Sequence, residues 1–377
     1  MSDADTFEIF LTATPGLERP LADEAREAGF PDPQIVPGGV SFTGTWPDAW
    51  RANLVLRGAT RVLVRFASFM AFHLAQLDKR ARKLDWAAVL RAELPVKVEV
   101  TSRKSKIYHA GAATQRIERA ITETLGAPIS AEAGIVVKVR IEDNRVTFSI
   151  DTSGPSLHKR GHKQAVGKAP MRETMAAMFL REMGFDGTQP VLDPMCGSGT
   201  FVIEAAERAA GLAPGRARGF AFEELASFDA ENWTEMKAEL APSEPRSPTP
   251  AGPQFHGSDR DAGAIRMSGE NAERAGVAGW TAFRCCAVSD IAPPEGPPGI
   301  VIVNPPYGAR IGNRKPLYAA HNALGQALLE RFSGWRVGIV TSDAGLAKST
   351  GLPLLPPGPV VAHGGLKVRL HRTDPLP

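Results

Sequence analysis

The chain is short of cysteine and of long apolar runs, and both shortages restrict what it can be. Three cysteines, Cys196, Cys285 and Cys286, leave one unpaired in any bridging scheme, and the two neighbours lack the spacing of metal ligands. No disulfide scaffold and no metal centre is therefore expected, and a reducing cytoplasm suits the chain best. No apolar stretch approaches the roughly 18 residues that span a bilayer, and residues 1–5 are acidic where a secretory leader would be basic. Neither secretion nor membrane insertion is expected. Aromatic residues make up only 7% and charged residues 23%, against 43% hydrophobic. That balance is globular, which sets aside collagen-like and wholly disordered readings. A length of 377 residues calls for two or three domains.

The net charge of +3 hides an asymmetry. Residues 51–120 hold fifteen Lys and Arg against five Asp and Glu, so the remainder is net acidic. Arg103, Lys104 and Lys106 form the tightest cluster of this basic segment. A polyphosphate such as RNA is the partner such a segment suits, because each neutralised phosphate releases counterions; solvated helix faces are the bland alternative. A second basic stretch, HKRGHKQAVGKAPMR at 158–172, contributes Lys159, Arg160 and Lys163 as a candidate wall of a nucleic-acid channel, or serves as a soluble linker.

Short strand-like and helix-like patterns alternate up to about residue 154, which reads as one or two α+β modules. IVVKVRI and RVTFSI, joined by EDN, form a hairpin pattern, and a helix is expected over 78–94. From Val191 onward, apolar strands recur at 254–259, 281–285, 299–306, 336–343 and 366–372 with helical segments between them. That is the pattern of an α/β domain with a doubly wound, mostly parallel sheet of Rossmann type. The proline-rich segment 241–253 reads as a surface loop.

Three strand ends carry chemistry. The first, VLD, turns at Asp193 through Pro194, Met195, Cys196, Gly197, Ser198, Gly199 and Thr200 into a helix. Glycines there let the backbone approach a ligand, and the helix start offers free N–H groups. The full G-x-G-x-x-G and the Walker lysine are both missing, so dinucleotide and P-loop readings are poor. The second ends in GSDRD, where Asp259 can accept from a ribose diol, Arg260 stands beside it, and Asp261 suits a helix N-cap. The third ends in Asn304, Pro305, Pro306 and Tyr307. The prolines stiffen the chain as it leaves the sheet, Asn304 and the Pro305 carbonyl present two acceptors to an exocyclic amine, and Tyr307 supplies a ring on which a base can stack.

DPMCGSGT, GSDRD and NPPYG, in this order on successive strands, resemble class I S-adenosylmethionine-dependent methyltransferases that modify base amino groups. With LTATPGLE, VPGGVSF, TSRKSKIYHAG, DTSGPSLHKRGH, GKAPMRET and TSD, nearly the whole chain resembles the THUMP-containing family of RNA guanine-N2 methyltransferases. The resemblance implies a ferredoxin-like subdomain over 1–65, an RNA-capturing THUMP domain over 66–154 and a class I catalytic domain over 155–377. It further implies that residues 193–200 surround the methionine part of S-adenosylmethionine and Asp259 holds its ribose. Residues 168–174, with Lys168, Pro170 and Met171, would cover its methionine end. Two positions depart from the family. Ala287 stands where an acidic residue often meets the adenine, with Asp290 three residues on, and Ala309 precedes Arg310 where Glu-Arg is common.

The expectation is methyl transfer to guanine N2 in structured RNA, 23S ribosomal RNA first and tRNA second, with no metal and with protein partners left open. The Asn-Pro-Pro-Tyr tetrad by itself leaves open adenine N6 on RNA or DNA, and the Ala287 departure leaves open an inactive RNA-binding factor.

Overall fold

A computed structural model describes residues 6–163, 171–242, 254–306 and 315–377. They form two compact units. The first comprises Met1–Ala13, Ala22–Leu157 and Arg218–Leu240, and the second Thr14–Leu21, His158–Ala217 and Ala241–Pro377. Among the described residues no helix is long and apolar enough to cross a membrane.

The first unit is built on a seven-stranded sheet of β1 (Phe7–Thr12), β2 (Gln34–Val36), β3 (Gly39–Gly44), β4 (Arg61–Met70), β5 (Val96–Arg103), β6 (Ile135–Glu142) and β7 (Arg145–Asp151). Its order is β2-β3-β1-β4-β7-β6-β5. In β6 the side chains of Ile135, Val137, Val139 and Ile141 are buried while Lys138 and Arg140 between them are not, the period-two signature of a sheet with one covered face. The EDN turn joins β6 to β7 with Asp143 and Asn144 at φ of 49° and 64°, the left-handed region that these two residue types tolerate in a tight hairpin.

The helices in this half of the chain are α1 (Glu18–Glu27), α2 (Trp46–Val55), α3 (Leu74–Ala81) and α4 (Ala110–Leu125). The helix expected over 78–94 is shorter and starts earlier. After α3 the Asp85 side chain accepts from the Ala88 N–H at 3.2 Å and starts a separate 3₁₀ turn, Trp86–Ala88, while the Trp86 indole donates to the Ala81 carbonyl at 2.9 Å. A short polar side chain has thus replaced a helical backbone bond with a local one.

The second unit contains β8 (Val191–Asp193), β9 (Phe255–Asp259), β10 (Thr281–Cys285), β11 (Ile300–Val303), β12 (Arg336–Thr341), β13 (Val361–His363) and β14 (Leu366–Arg372). Their order is β10-β9-β8-β11-β12-β14-β13. The first five are parallel, and β14 returns antiparallel to β12. All four residues of β11 are fully buried, as a strand covered on both faces must be. One face packs Leu192, Val301, Val303 and Val337 against Leu324, Leu328, Phe332 and Trp335. Successive strands run outward in opposite directions from the β8/β11 pair, so a crevice opens at its carboxyl end, where open α/β sheets take their ligands.

Helices α5 (Glu173–Glu182), α6 (Thr200–Ala209), α7 (Ala230–Leu240), α8 (Ala262–Arg274), α9 (Lys315–Arg331) and α10 (Ala344–Ser349) complete the described elements. Of these, α7 belongs to the first unit. Its Trp233 meets Phe222 edge-on at 5.0 Å, and Phe222 stacks on Trp50 at 5.8 Å. Aromatic contact across 172 residues of sequence therefore draws Arg218–Leu240 out of the unit that its position along the chain suggests.

Candidate active site

Pairing of β8 with β9 sets Asp193 opposite Gly257, and pairing of β8 with β11 sets Val191 and Leu192 opposite Ile300 and Val301. Asp193, Asp259 and Asn304 therefore stand at neighbouring strand ends. The chain leaves β8 through a loop whose Gly197 and Gly199 take φ of 54° and 83°, a region costly for residues with a Cβ.

Backbone N–H groups tie this loop to β9 and to itself. Cys196 N–H donates to the Ser258 carbonyl (2.9 Å), Gly199 N–H to the Cys196 carbonyl (2.8 Å) and Gly197 N–H to Asp259 Oδ2 (3.1 Å). Two side chains of α8 complete the fastening: Ser268 Oγ is 2.8 Å from the Gly197 carbonyl, and Asn271 Nδ2 donates to the Ser198 carbonyl at 3.1 Å. Gly257 is bare because a Cβ there would stand 2.7 Å from the Phe283 ring and 3.1 Å from Cys196 Cβ. At Gly197, by contrast, a Cβ would meet no described heavy atom within 4 Å, so the loop leaves open space on the side where a ligand can lie.

The electrostatics follow from burial. Asp193 is 2% exposed, and desolvation raises its pKa to about 8 against the pull of the Met195 N–H, with the Asp259 charge pushing the same way. Burial, followed by the Asp193 charge, also pushes the Cys196 thiol well above its ordinary range. A thiol so held is a packing group and not a nucleophile. Asp259 accepts from Gly197 N–H through Oδ2 and from Asp261 N–H (3.0 Å) through Oδ1. Each oxygen keeps a further lone pair, as a diol requires. Asp261 caps α8 by accepting from Gly263 N–H at 2.8 Å, as its position after the strand suggested. Arg260 and Asp290 are exposed. Asp290 ends the turn Val288–Asp290 that begins after Ala287, and Ser289 Oγ lies 3.0 Å from its carboxylate.

Asn304 follows β11 directly. Its Oδ1 is buried and has no hydrogen-bond partner among the described residues. A buried amide oxygen without a donor costs about 1–3 kcal/mol, and such an orphan is explained when the donor comes with a ligand. Pro305 is buried and Pro306 exposed. Tyr307, Lys168 and Pro170 lie outside the described residues.

Two positions expected to face RNA do otherwise. Arg160 is 2% exposed and donates to Glu204 on α6 at 3.0 Å. Burial opposes its charge, but Glu204, Glu207 and Glu173 outweigh it and leave the guanidinium more basic than usual. Lys163 Nζ is bonded to Thr200 Oγ1 (2.8 Å), the Met171 carbonyl (3.1 Å) and Glu173 (3.1 Å). These cations neutralise buried carboxylates of their own unit and are not available as a surface; only Lys159 of this trio is exposed. Met171, expected near the methionine end of the cofactor, is itself buried. The same network reaches α8, where Arg274 donates to the His162 carbonyl (2.9 Å) and to Asn271 Oδ1 (2.5 Å).

A family profile described as the RMKL-like methyltransferase domain matches residues 160–352. The chain belongs to that family. A second profile, the RlmL ferredoxin-like domain, matches residues 8–63. The RMKL-like chain is 31% identical to a Synechocystis protein provisionally named an RNA methyltransferase, over 97% of this chain and 96% of that one. It is also 34% identical to the ribosomal RNA large subunit methyltransferase K/L of Aliivibrio salmonicida, over 87% of this chain, but spans about half the length of that relative (48%). The crystal structure of SMU.472 with S-adenosylhomocysteine superposes with a TM-score of 0.83 at 28% identity, covering 100% of both chains. The catalytic unit is therefore a class I S-adenosylmethionine-dependent methyltransferase domain. The site fits that cofactor: the space at Gly197, the loop 193–200 and the Asp259 carboxylate are the features a methionine chain and a ribose need. When bound, S-adenosylmethionine supplies a methyl carbon on a cationic sulfur.

Proposed function

We propose that this chain methylates the exocyclic N2 amine of a guanosine in 23S ribosomal RNA. The observation that carries methylation of a base amine is the buried Asn304 Oδ1 at the end of β11, lacking a donor among the described residues beside the glycine loop of the neighbouring strand; guanine N2 is chosen over adenine N6 on the family resemblance. A base amino group has two N–H donors. One meets Asn304 and the other the Pro305 carbonyl, which turns the nitrogen so that its lone pair leaves conjugation with the ring. Asn304 is an amide and takes no proton. It aligns the amine and stabilises the positive charge that develops on nitrogen; the proton leaves to water after transfer.

The choice of RNA is supported by the names of the relatives and by the basic residues of the first unit, where the family resemblance implies a THUMP domain over residues 66–154. Ribosomal RNA is preferred because the large-subunit enzymes match over 87% of this chain. A cytoplasmic location goes with that substrate. Incubation with radiolabelled cofactor and separate samples of unmodified 23S RNA, tRNA and DNA, followed by nucleoside mass mapping, tests it. N2-methylguanosine in the 23S sample is expected; label confined to tRNA or to N6-methyladenosine refutes the reading.

A further inference from the structure

The first unit carries an exposed aromatic and cationic surface. Tyr108 is 83% exposed and Phe72 42%, the two most exposed aromatic rings among the described residues. Both adjoin the loop that follows β5. Ser105 Oγ lies 2.8 Å from the Arg103 carbonyl and accepts from Asn144 N–H at 3.0 Å, while Lys106 N–H donates to Asn144 Oδ1 at 2.8 Å. Asn144 in turn accepts at its carbonyl from Ala71 N–H (2.9 Å), next to Phe72, and Lys106 Nζ stands 5.6 Å from the Phe72 ring centre. Ile107, buried, pins the loop between Lys106 and Tyr108. The rings are therefore presented on fixed backbone.

Part of the positive charge of this unit is neutralised within it, and part, including Lys79, Arg80, Lys83 and Arg116 as well as this loop, has no carboxylate partner among the described residues. Arg61, Arg65, Arg82, Lys97, Arg119, Lys138 and Arg140 are all paired with carboxylates. Arg103, Lys104 and Lys106 are exposed and have no carboxylate partner among the described residues. Unbalanced cations attract a polyanion but do not account for a tyrosine left in water. A ring face beside cations is what an unpaired nucleotide takes: the base stacks and the phosphates on either side are neutralised. Duplex RNA conceals its base faces and gains only the second interaction.

We infer that Tyr108, with Phe72 and the cations Arg103, Lys104 and Lys106, is a stacking site for an unpaired base of the RNA substrate. This rests on the RNA reading above and narrows it to a single-stranded element. The test uses the full chain, a fluorescent unstructured RNA of about 10 nucleotides and a duplex of equal length, with affinity read by anisotropy at several salt concentrations. Tyr108→Ala is expected to weaken single-strand binding roughly 5- to 100-fold, with the salt slope and duplex binding unchanged, while Tyr108→Phe keeps wild-type affinity. Arg103→Ala is expected to lower the salt slope by about 0.7. Unchanged single-strand affinity in Tyr108→Ala overturns the inference, as does an equal loss on the duplex. Methyl transfer to 23S RNA, measured on the same proteins, separates the two readings. Stacking without transfer leaves this site standing and removes the proposed activity, whereas transfer with Tyr108→Ala binding as well as wild type does the reverse.

Discussion

Replacing Asp193 by Asn tests the burial of the site's central carboxylate. In the native unit this group holds its proton up to about pH 8, whereas its ordinary value is 3.8. Each unit corresponds to about 1.4 kcal/mol, so the gap is on the order of 6 kcal/mol. Below about pH 4 both folded and unfolded chains are protonated here, and the native state has its full stability. As pH rises from about 4 to about 8, the unfolded chain gives up this proton and the native one does not, so stability is progressively lost. Above that window both states are ionised and the loss is complete. Asparagine removes the titration and keeps an oxygen to accept from Met195 N–H, the bond that Asp193 makes at 3.1 Å. Hydrogen exchange on peptides covering β8 and β11, followed by mass spectrometry, reads the local stability of the right unit. Wild type and Asp193→Asn should differ little near pH 5 and by several kcal/mol near pH 8, with the variant more protected. A difference that is constant over this range, or that shrinks as pH rises, refutes the claim that Asp193 is desolvated.

The features legible in the sequence were those set by neighbouring residues. A strand followed by glycines and a helix placed the loop 194–199, a carboxylate at the next strand end placed Asp259, and two prolines after an apolar run placed Asn304. Each depends on a turn that a few residues specify. What was not legible depends on partners far along the chain. Arg160 and Lys163 sit in a run of cations that looks solvated, yet their partners Glu204 and Thr200 are 44 and 37 positions away. Nothing local distinguishes a cation bound for a buried carboxylate from one bound for water. Ser268 and Asn271 left a weak trace, two small polar residues three apart on a helix, the spacing of one face. The strands β2 and β13 have three residues each, too few for a period of two to register.

Asn304→Ala removes an acceptor that the resting protein leaves unsatisfied, so turnover should fall about 10²- to 10³-fold while cofactor affinity and thermal stability stay near wild type; a variant that unfolds early would show that Asn304 is structural. Gly257→Ala forces a Cβ into the Phe283 ring, 2.7 Å away, and displaces Cys196 and the loop behind it. Calorimetry should show cofactor affinity reduced at least about tenfold with a loss of roughly 1–3 kcal/mol in stability. For Lys163, a surface role and a positioning role predict different readouts. Nζ joins Thr200, at the start of α6, to Met171 and Glu173, at the start of α5, so Lys163→Met should raise KM for the cofactor, leave kcat and RNA affinity little changed, and strand the buried Glu173 carboxylate at a cost of about 3–5 kcal/mol. Lys163→Arg keeps the charge and several N–H donors and should restore most of the cofactor affinity. If instead Lys163→Met weakened RNA binding in proportion to salt and left cofactor KM alone, the lysine would face the nucleic acid, and the burial on which this reasoning depends would be wrong.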